Sequence, residues 1–532
     1  FCQRAAAKGW RNLHLLDTFV LHTGGVSFGD SKSPRERAAM QMLDRLHPRY
    51  AREVQAFVTA DPAAPYRLAI DVARLRATHL STVLAVLHDR AGGTLRHVRE
   101  LALHLANQAQ FLMLTPAAGG TARLRMVGED EGFALAFRVR DEWDELLAVL
   151  RQLGVCHVHF HHLLGHDARV RALPAMLNVG YDVTAHDFYG YCTHITLTGE
   201  DGRYAGEPAP GQCACCPPGT PAPAHDHLAR TVSDWRDANA RLLNGARHVF
   251  APSDDCGRRI AAFAPAAHLL VVPHTDIAPG ALLPEPAPEP MQGDRPLRIV
   301  VIGALSVIKG ADVLEAAALE AARRHAPLEF HLLGYCYRHL QTQPRARLTV
   351  HGEYQDEDLP GLLAWLQPDL VWFPAQWPET YSYTLSAVLT TGLPVVVPDI
   401  GAFAERLAGR AWSWVAPWNQ SAAQWMEFFG ALRSAHFIDA TPPQPPAGTG
   451  TAAIDWRYDR DYSSGLHVPD APAPALDAAT LARYLPQPGA NALVKTGLLG
   501  GLVWLRSLPV LRAVARTVPA HWQRRVKNWL QG

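Results

Sequence analysis

Three residues in this chain combine a reactive group with a local setting suited to a phosphorylated ligand: Glu379, Lys309 and His186. Glu379 follows Pro378 and stands just before Thr380, Tyr381, Ser382 and Tyr383, which are expected to open a helix. The free backbone N–H groups of a helix start, with the positive end of its dipole, make an anion site that a diphosphate fits. Lys309 and Gly310 follow Gly303 in a turn after the apolar run LRIVVIG, and one cation together with helix-start amides offsets much of the charge of a diphosphate. His186 ends the strand pattern YDVTAH, and a neutral imidazole there donates or accepts a hydrogen bond without the cost of burying a charge. Asp187 beside it suits an orienting or capping role. Gly92 and Gly93, in a turn after TVLAVLH, let backbone approach a ligand closely.

The elements that must position these groups are readable around them. Leu370 to Phe373 and Val395 to Val397 are short apolar runs rich in branched and aromatic residues, which suits strands buried on both faces. Between them Thr384, Leu385, Val388 and Leu389 recur at helical spacing. The unit reads strand, turn, helix, strand, with its turn at the carboxyl edge of a parallel sheet. The same alternation runs from Thr82 onward and predicts a parallel α/β domain. After the glycine turn, Val98, Leu101, Ala102 and Leu105 form one helical stripe; a meander over 124–139 and a helix over 141–153 follow. The stretch VCHVHFHHLLGHD holds five histidines between His157 and His166. No conventional zinc-ligand spacing appears there, so it reads as a strand edge lining a cleft. A long helix over 225–243, the strand runs HVFAPSDD and HLLVVPH, and a Pro-rich hinge over 276–296 close this lobe, and a second βαβ series occupies 297–435.

Composition narrows the field. At 532 residues, 48% hydrophobic and 19% charged, the chain is globular and long enough for about three domains. Lys plus Arg equals Asp plus Glu, so no global charge points to nucleic acid. Eight cysteines are too sparse for a secreted disulfide scaffold, and no signal peptide pattern opens the chain, so a cytoplasmic location is the default expectation. A chain opening at Phe1 is expected to be a piece of a longer polypeptide.

The Pro-Glu turn, followed by Gly-Leu-Pro-Val-Val and then Gly-Ala after a strand, resembles the donor-binding segment of retaining glycosyltransferases of family 4. The resemblance implies an α/β GT-B fold, two Rossmann-like lobes facing across a cleft. It implies that helix-start amides at Thr380 to Tyr383 hold the nucleotide diphosphate and that Glu379 lies against the donor sugar. Lys309, Gly303 and Gly310 would sit against the diphosphate, Gly92 and Gly93 near the phosphates, and His186 beside the sugar as a catalytic group. The family's second Glu, which binds the ribose, falls on Ala387, so ribose recognition must come from elsewhere. The implied activity is transfer of a sugar from a nucleotide-diphosphate sugar to a glycan or lipid-linked oligosaccharide of the surface-polysaccharide or O-antigen type. No metal is required for these lobes. Two other classes fit the same fold: a nucleotide-sugar epimerase, and a noncatalytic glycan-binding lobe.

Three further segments carry their own expectations. Residues 1–70, with a Phe-Cys-x-Arg-Ala helix and a strand ending at His22, resemble the closing segment of a family 2 glycosyltransferase of the GT-A type; without the metal motif this remnant is expected to be catalytically empty. Cys213 and Cys216 have the C-x2-C spacing of a zinc knuckle, with Cys192 as a third thiolate, giving either a structural zinc site or a set of reduced thiols. Residues 436–532 read as a Pro-rich, disordered-looking linker and a basic amphipathic tail. That tail, with Lys495, Arg506, Arg512 and Arg516 among apolar residues, suits either the anionic inner face of the cytoplasmic membrane or docking on another lobe.

Overall fold

The computed structural model describes residues 2–13, 15, 38–39, 41–43, 45–128, 133–207, 216–217, 219–224, 226–278, 280–292, 294–448, 455–466 and 477–486. His22, Cys213 and the basic tail lie outside the described residues. The chain divides into two compact units, residues 1–79 with 129–137 and 472–532, and residues 80–128 with 138–471.

In the smaller unit, the helix Ala64–Ala77 buries Leu68, Val72 and Leu75, a stripe at i, i+4 and i+7. Against it packs the short helix Ala478–Arg483. Just beyond that helix, Tyr484 accepts a backbone hydrogen bond from Ala136 at 2.7 Å and sets its ring 4.7 Å from Phe137. The helix Tyr50–Ala60 buries none of its residues.

The larger unit holds two sheets. The first has, in spatial order, Thr121–Met126, Ala109–Ala117, Ser81–Val86, Val155–Phe160, Gly180–Thr184, Val249–Ala251 and Leu269–Val271. Its strands run parallel apart from Thr121–Met126, which turns back antiparallel on Ala109–Ala117. The second is wholly parallel, in the order Leu348–Gly352, Leu328–Leu333, Leu297–Ile302, Leu370–Trp372, Val395–Pro398 and Ser413–Ala416. The two-lobed α/β class expected from the sequence is therefore the one the chain adopts.

The apolar runs form these strands because both faces are covered. Leu297, Ile299 and Val301 enter one core with Trp372, Trp425 and Phe429, while the alternating Val300 and Ile302 enter the opposite core with Leu385 and Val388. Trp372 stands 4.7 Å from Trp425 and 5.2 Å from Phe429, ring pairings that add about 1 kcal/mol each beyond area burial. In the first lobe, Val83, Ala85 and Leu87 pack with Val98, Leu101, Tyr458 and Tyr462. The last two lie beyond the Pro-rich stretch over 441–453: residues 455–466 return to the first lobe, and Tyr462 is fully buried there. Its hydroxyl bonds His159 Nδ1 at 2.9 Å, whose Nε2 meets Thr184 Oγ1 at 2.8 Å.

One buried charge cluster braces the same sheet. Asp182, fully buried, accepts hydrogen bonds from Arg247 Nε at 3.0 Å, His157 Nε2 at 2.9 Å and the His248 backbone N–H at 3.1 Å. Burial opposes its charge, yet the bonds from His157, His248 and Arg247 outweigh that penalty and hold the carboxyl well below the usual range.

Candidate functional site

In each sheet the chain starts at an inner strand, lays strands to one side, then crosses to the other. Such a switch point opens a crevice at the strands' carboxyl ends, where ligands bind in open α/β sheets. In the first lobe it lies between Ser81–Val86 and Val155–Phe160; in the second, between Leu297–Ile302 and Leu370–Trp372. Loops from both points line a single cleft of about 620 Å³. Into it come Gly92, Gly93 and His186 from the first lobe and Gly303, Lys309, Glu379, Thr380, Tyr381, Ser382 and Tyr383 from the second.

Glu379 owes its place to a backbone contact. Gly401, at φ +72°, lies so close to the Pro378–Glu379 peptide that a Cβ there would stand 2.6 Å from both the nitrogen and the carbonyl oxygen of Glu379. Ala402 N–H then donates to the Glu379 carbonyl at 2.8 Å. The Gly-Ala pair thus clamps the turn, and the Glu379 side chain is left nine-tenths buried at the cleft wall.

The helix after the turn starts later than the sequence predicts. It spans Tyr383–Leu389, seven residues, with Ser382 as its cap at φ +80° accepting from Leu385 N–H. Thr380 and Tyr381 precede it and act as braces. Thr380 Oγ1 donates to the His186 carbonyl at 2.7 Å, tying the two lobes together beside His186 and Glu379. Tyr381 donates to Asp276 at 2.6 Å, and Arg406 sits 4.1 Å over its ring while donating to the Tyr381 and Ser382 carbonyls at 3.1 and 2.8 Å. Tyr383 donates to Glu100 at 3.1 Å and lies under Arg96 at 4.5 Å. Burial pushes the Tyr381 phenol up to about 12 and the Tyr383 phenol further, so both stay neutral donors.

Lys309 lines the cleft. Gly310 does not line it: at φ +83° it packs on the Pro374 carbonyl, leaving no room for a Cβ, and so joins the Lys309 turn to the strand that leads to Glu379. Ala387 packs into the core under its helix rather than facing the cleft. The carboxylates at the rim are Glu353 and Asp356, the latter 3.1 Å from Arg96. Neither was singled out by the sequence, since an exposed acidic stretch resembles any solvated loop.

His186 belongs to a larger group. His161 Nδ1 lies 3.2 Å from His186 Nε2, and the rings of His97 and His274 lie 5.2 and 5.5 Å from that of His186. Burial pushes His97 down to about 3 and holds His161, His186 and His274 well below the ordinary imidazole value, so all four rings are neutral. Asp187 turns away, bonding His162 Nε2 and the Tyr189 N–H, each at 2.9 Å. Cys192 and Cys216 are buried, and Cys216 Sγ lies 3.1 Å from Thr193 Oγ1. Among the described residues no helix is long and apolar enough to cross a membrane.

No protein-family model matches this sequence, and no curated protein matches it. Among solved structures, the chain is similar to HepE from Anabaena in complex with UDP-glucose, at 13% identity and a TM-score of 0.42, over 68% of this chain and 90% of that one. It is similar to the lipopolysaccharide outer core galactosyltransferase WaaB in its apo form, at 10% identity and 0.43, over 67% and 91%. A third likeness is to the pneumococcal O-GlcNAc transferase GtfA in complex with UDP and GlcNAc, at 10% identity and 0.40, over 68% and 94%.

Proposed function

We propose that this chain is a retaining glycosyltransferase of the GT-B kind, taking a nucleotide-diphosphate sugar as donor and a surface-polysaccharide or O-antigen type glycan as acceptor. The observation that carries this reading is the meeting of His186, Glu379 and Lys309 on one cleft, from loops at the carboxyl ends of two separate sheets. Lys309 supplies the cation for the diphosphate, whose charge needs a partner. Glu379, held by the Gly401 contact, accepts hydrogen bonds from the donor sugar's hydroxyls. His186, neutral, contributes a hydrogen bond at the reacting sugar without a charge of its own. Glu353 at the rim takes the place of the missing ribose acceptor at Ala387.

A thermal-shift series with nucleoside diphosphates and nucleotide sugars tests the reading. A ligand at 100 times its dissociation constant stabilises by about 2.7 kcal/mol. One nucleoside diphosphate at that concentration should stabilise the wild type by about 2.7 kcal/mol and Lys309→Ala by about 1.4 kcal/mol or less. No shift with any nucleotide would remove the donor assignment.

A further inference from the structure

The histidine cluster is richer than a catalytic imidazole requires. His97 sits on the helix Gly93–His104, His161 directly after the strand Val155–Phe160, and His186 after Gly180–Thr184. Each presents one ring nitrogen, and the three nitrogens lie within 4.8 Å of one another. His97 is fully buried, yet neither of its ring nitrogens has a hydrogen-bond partner, and His161 Nε2 is buried without one as well. Leaving a buried polar atom unpaired is costly, and two on one ring call for an occupant. His274, whose ring lies 4.1 Å from that of His97, also has its Nδ1 buried without a partner, whereas His157 bonds Asp182, His159 bonds Tyr462 and Thr184, and His162 bonds Asp187.

We propose that His97, His161 and His186 bind one divalent transition-metal ion of the zinc class, with the fourth position facing the cleft that His186 lines. Zinc–nitrogen bonds of about 2.0–2.1 Å at tetrahedral angles place two ligand nitrogens about 3.4 Å apart. His161 Nδ1 and His186 Nε2 already stand at 3.2 Å, and small side-chain rotations bring His97 into the same shell. Three neutral imidazoles and no carboxylate favour zinc, cobalt, nickel or copper over magnesium, calcium or manganese, which prefer oxygen. The ligands come from three elements far apart in sequence, which is why no local spacing announces the site. An ion here fixes the His186 ring and places two positive charges beside the cleft. The inference stands whether or not the chain transfers sugars.

The test is metal uptake by the purified chain, free of any affinity tag, after chelation and dialysis against zinc or cobalt. One ion per chain is expected, with an X-ray absorption shell of nitrogen at about 2.0 Å and no sulfur at about 2.3 Å. His97→Phe and His161→Asn should each weaken uptake by on the order of 100-fold, since loss of a ligand costs at least as much as loss of its supporting shell. The pair Cys192→Ser with Cys216→Ser, and separately His351→Gln, a histidine on the second-lobe strand Leu348–Gly352 that pairs with His331, should leave it unchanged. Absence of stoichiometric uptake, a sulfur shell in the wild type, or full uptake in the folded His97→Phe chain would each overturn the proposal. If a histidine variant does not fold, the wild-type absorption spectrum and the unaffected His351→Gln chain decide the matter.

Discussion

Gly401→Ala gives the sharpest test of how the cleft is held, because the chain contains its own control. Gly401 and Gly409 both adopt φ +72°, so an alanine at either position incurs the same left-handed penalty of about 1 kcal/mol. At Gly409 the added methyl meets nothing within 4 Å. At Gly401 it stands 2.6 Å from two backbone atoms of Glu379, where ordinary contact begins at 3.4 Å, so the turn must retreat by 3.4 − 2.6, about 0.8 Å. Backbone cannot swing aside as a long side chain does, and overpacking of this kind costs about 1–3 kcal/mol more. Urea unfolding should therefore place Gly401→Ala about 2–4 kcal/mol below the wild type and Gly409→Ala only about 1 below. A displacement near 1 Å at a reacting group costs about 100-fold, so nucleotide release from the donor should fall by that order in Gly401→Ala and remain normal in Gly409→Ala. Equal stability losses in the two variants, with wild-type turnover in both, would refute the clamp.

Lys309→Ala should weaken nucleoside diphosphate binding by about 10-fold or more, the worth of a charge-assisted bond, measured by calorimetry; unchanged affinity would place the phosphates elsewhere. Asp182→Asn should cost about 3–5 kcal/mol in urea unfolding, because Arg247 then remains at the edge of the core without its anion; a loss under about 1 kcal/mol would mean that water already serves it. His166, fully buried and bonded to the Leu87 carbonyl at 2.9 Å, is held down to about 4 by burial, whereas the unfolded chain takes up that proton near pH 6.5. The unfolded state binds more protons in between, so stability falls as pH drops from about 6.5 to about 4, by up to about 3 kcal/mol from this group. His166→Gln should flatten that slope by about 1.4 kcal/mol per pH unit, and an unchanged slope would assign the effect to other groups.

The strands and the Glu379 turn were legible because their causes are local. A run such as VVIG or VVVP is buried on both faces and needs no distant partner to declare itself, and Pro-Glu before a helical stripe marks a turn at a sheet edge. The start of that helix was misplaced by three residues because Thr380 and Tyr381 carry helix-compatible side chains whose real partners, the His186 carbonyl and Asp276, lie about 100 to 200 residues away. His97 was hidden for the same reason. On a helix its neighbours Val98, Leu101 and Leu105 announce a buried face, but nothing nearby announces that His161 and His186 arrive at the same point. Tyr458 and Tyr462 were invisible behind a stretch of Pro, Gly and Ala, since composition reports what a segment cannot pack, not where the aromatics beyond it go.

The return of residues 455–466 to the first lobe makes that lobe discontinuous in sequence. A fragment ending in the hinge would lack Trp456, Tyr458 and Tyr462, and would leave the His159 ring and the apolar face around Phe250 open to water. A chimera that borrows a second lobe from another chain therefore cannot be made by one exchange at the hinge. It needs two junctions, one before Leu297 and one between the second lobe's last helix and Trp456, with the returning segment kept from the parent of the first lobe. Modular recombination at this scaffold is thus an insertion, in which the second lobe is spliced into the first.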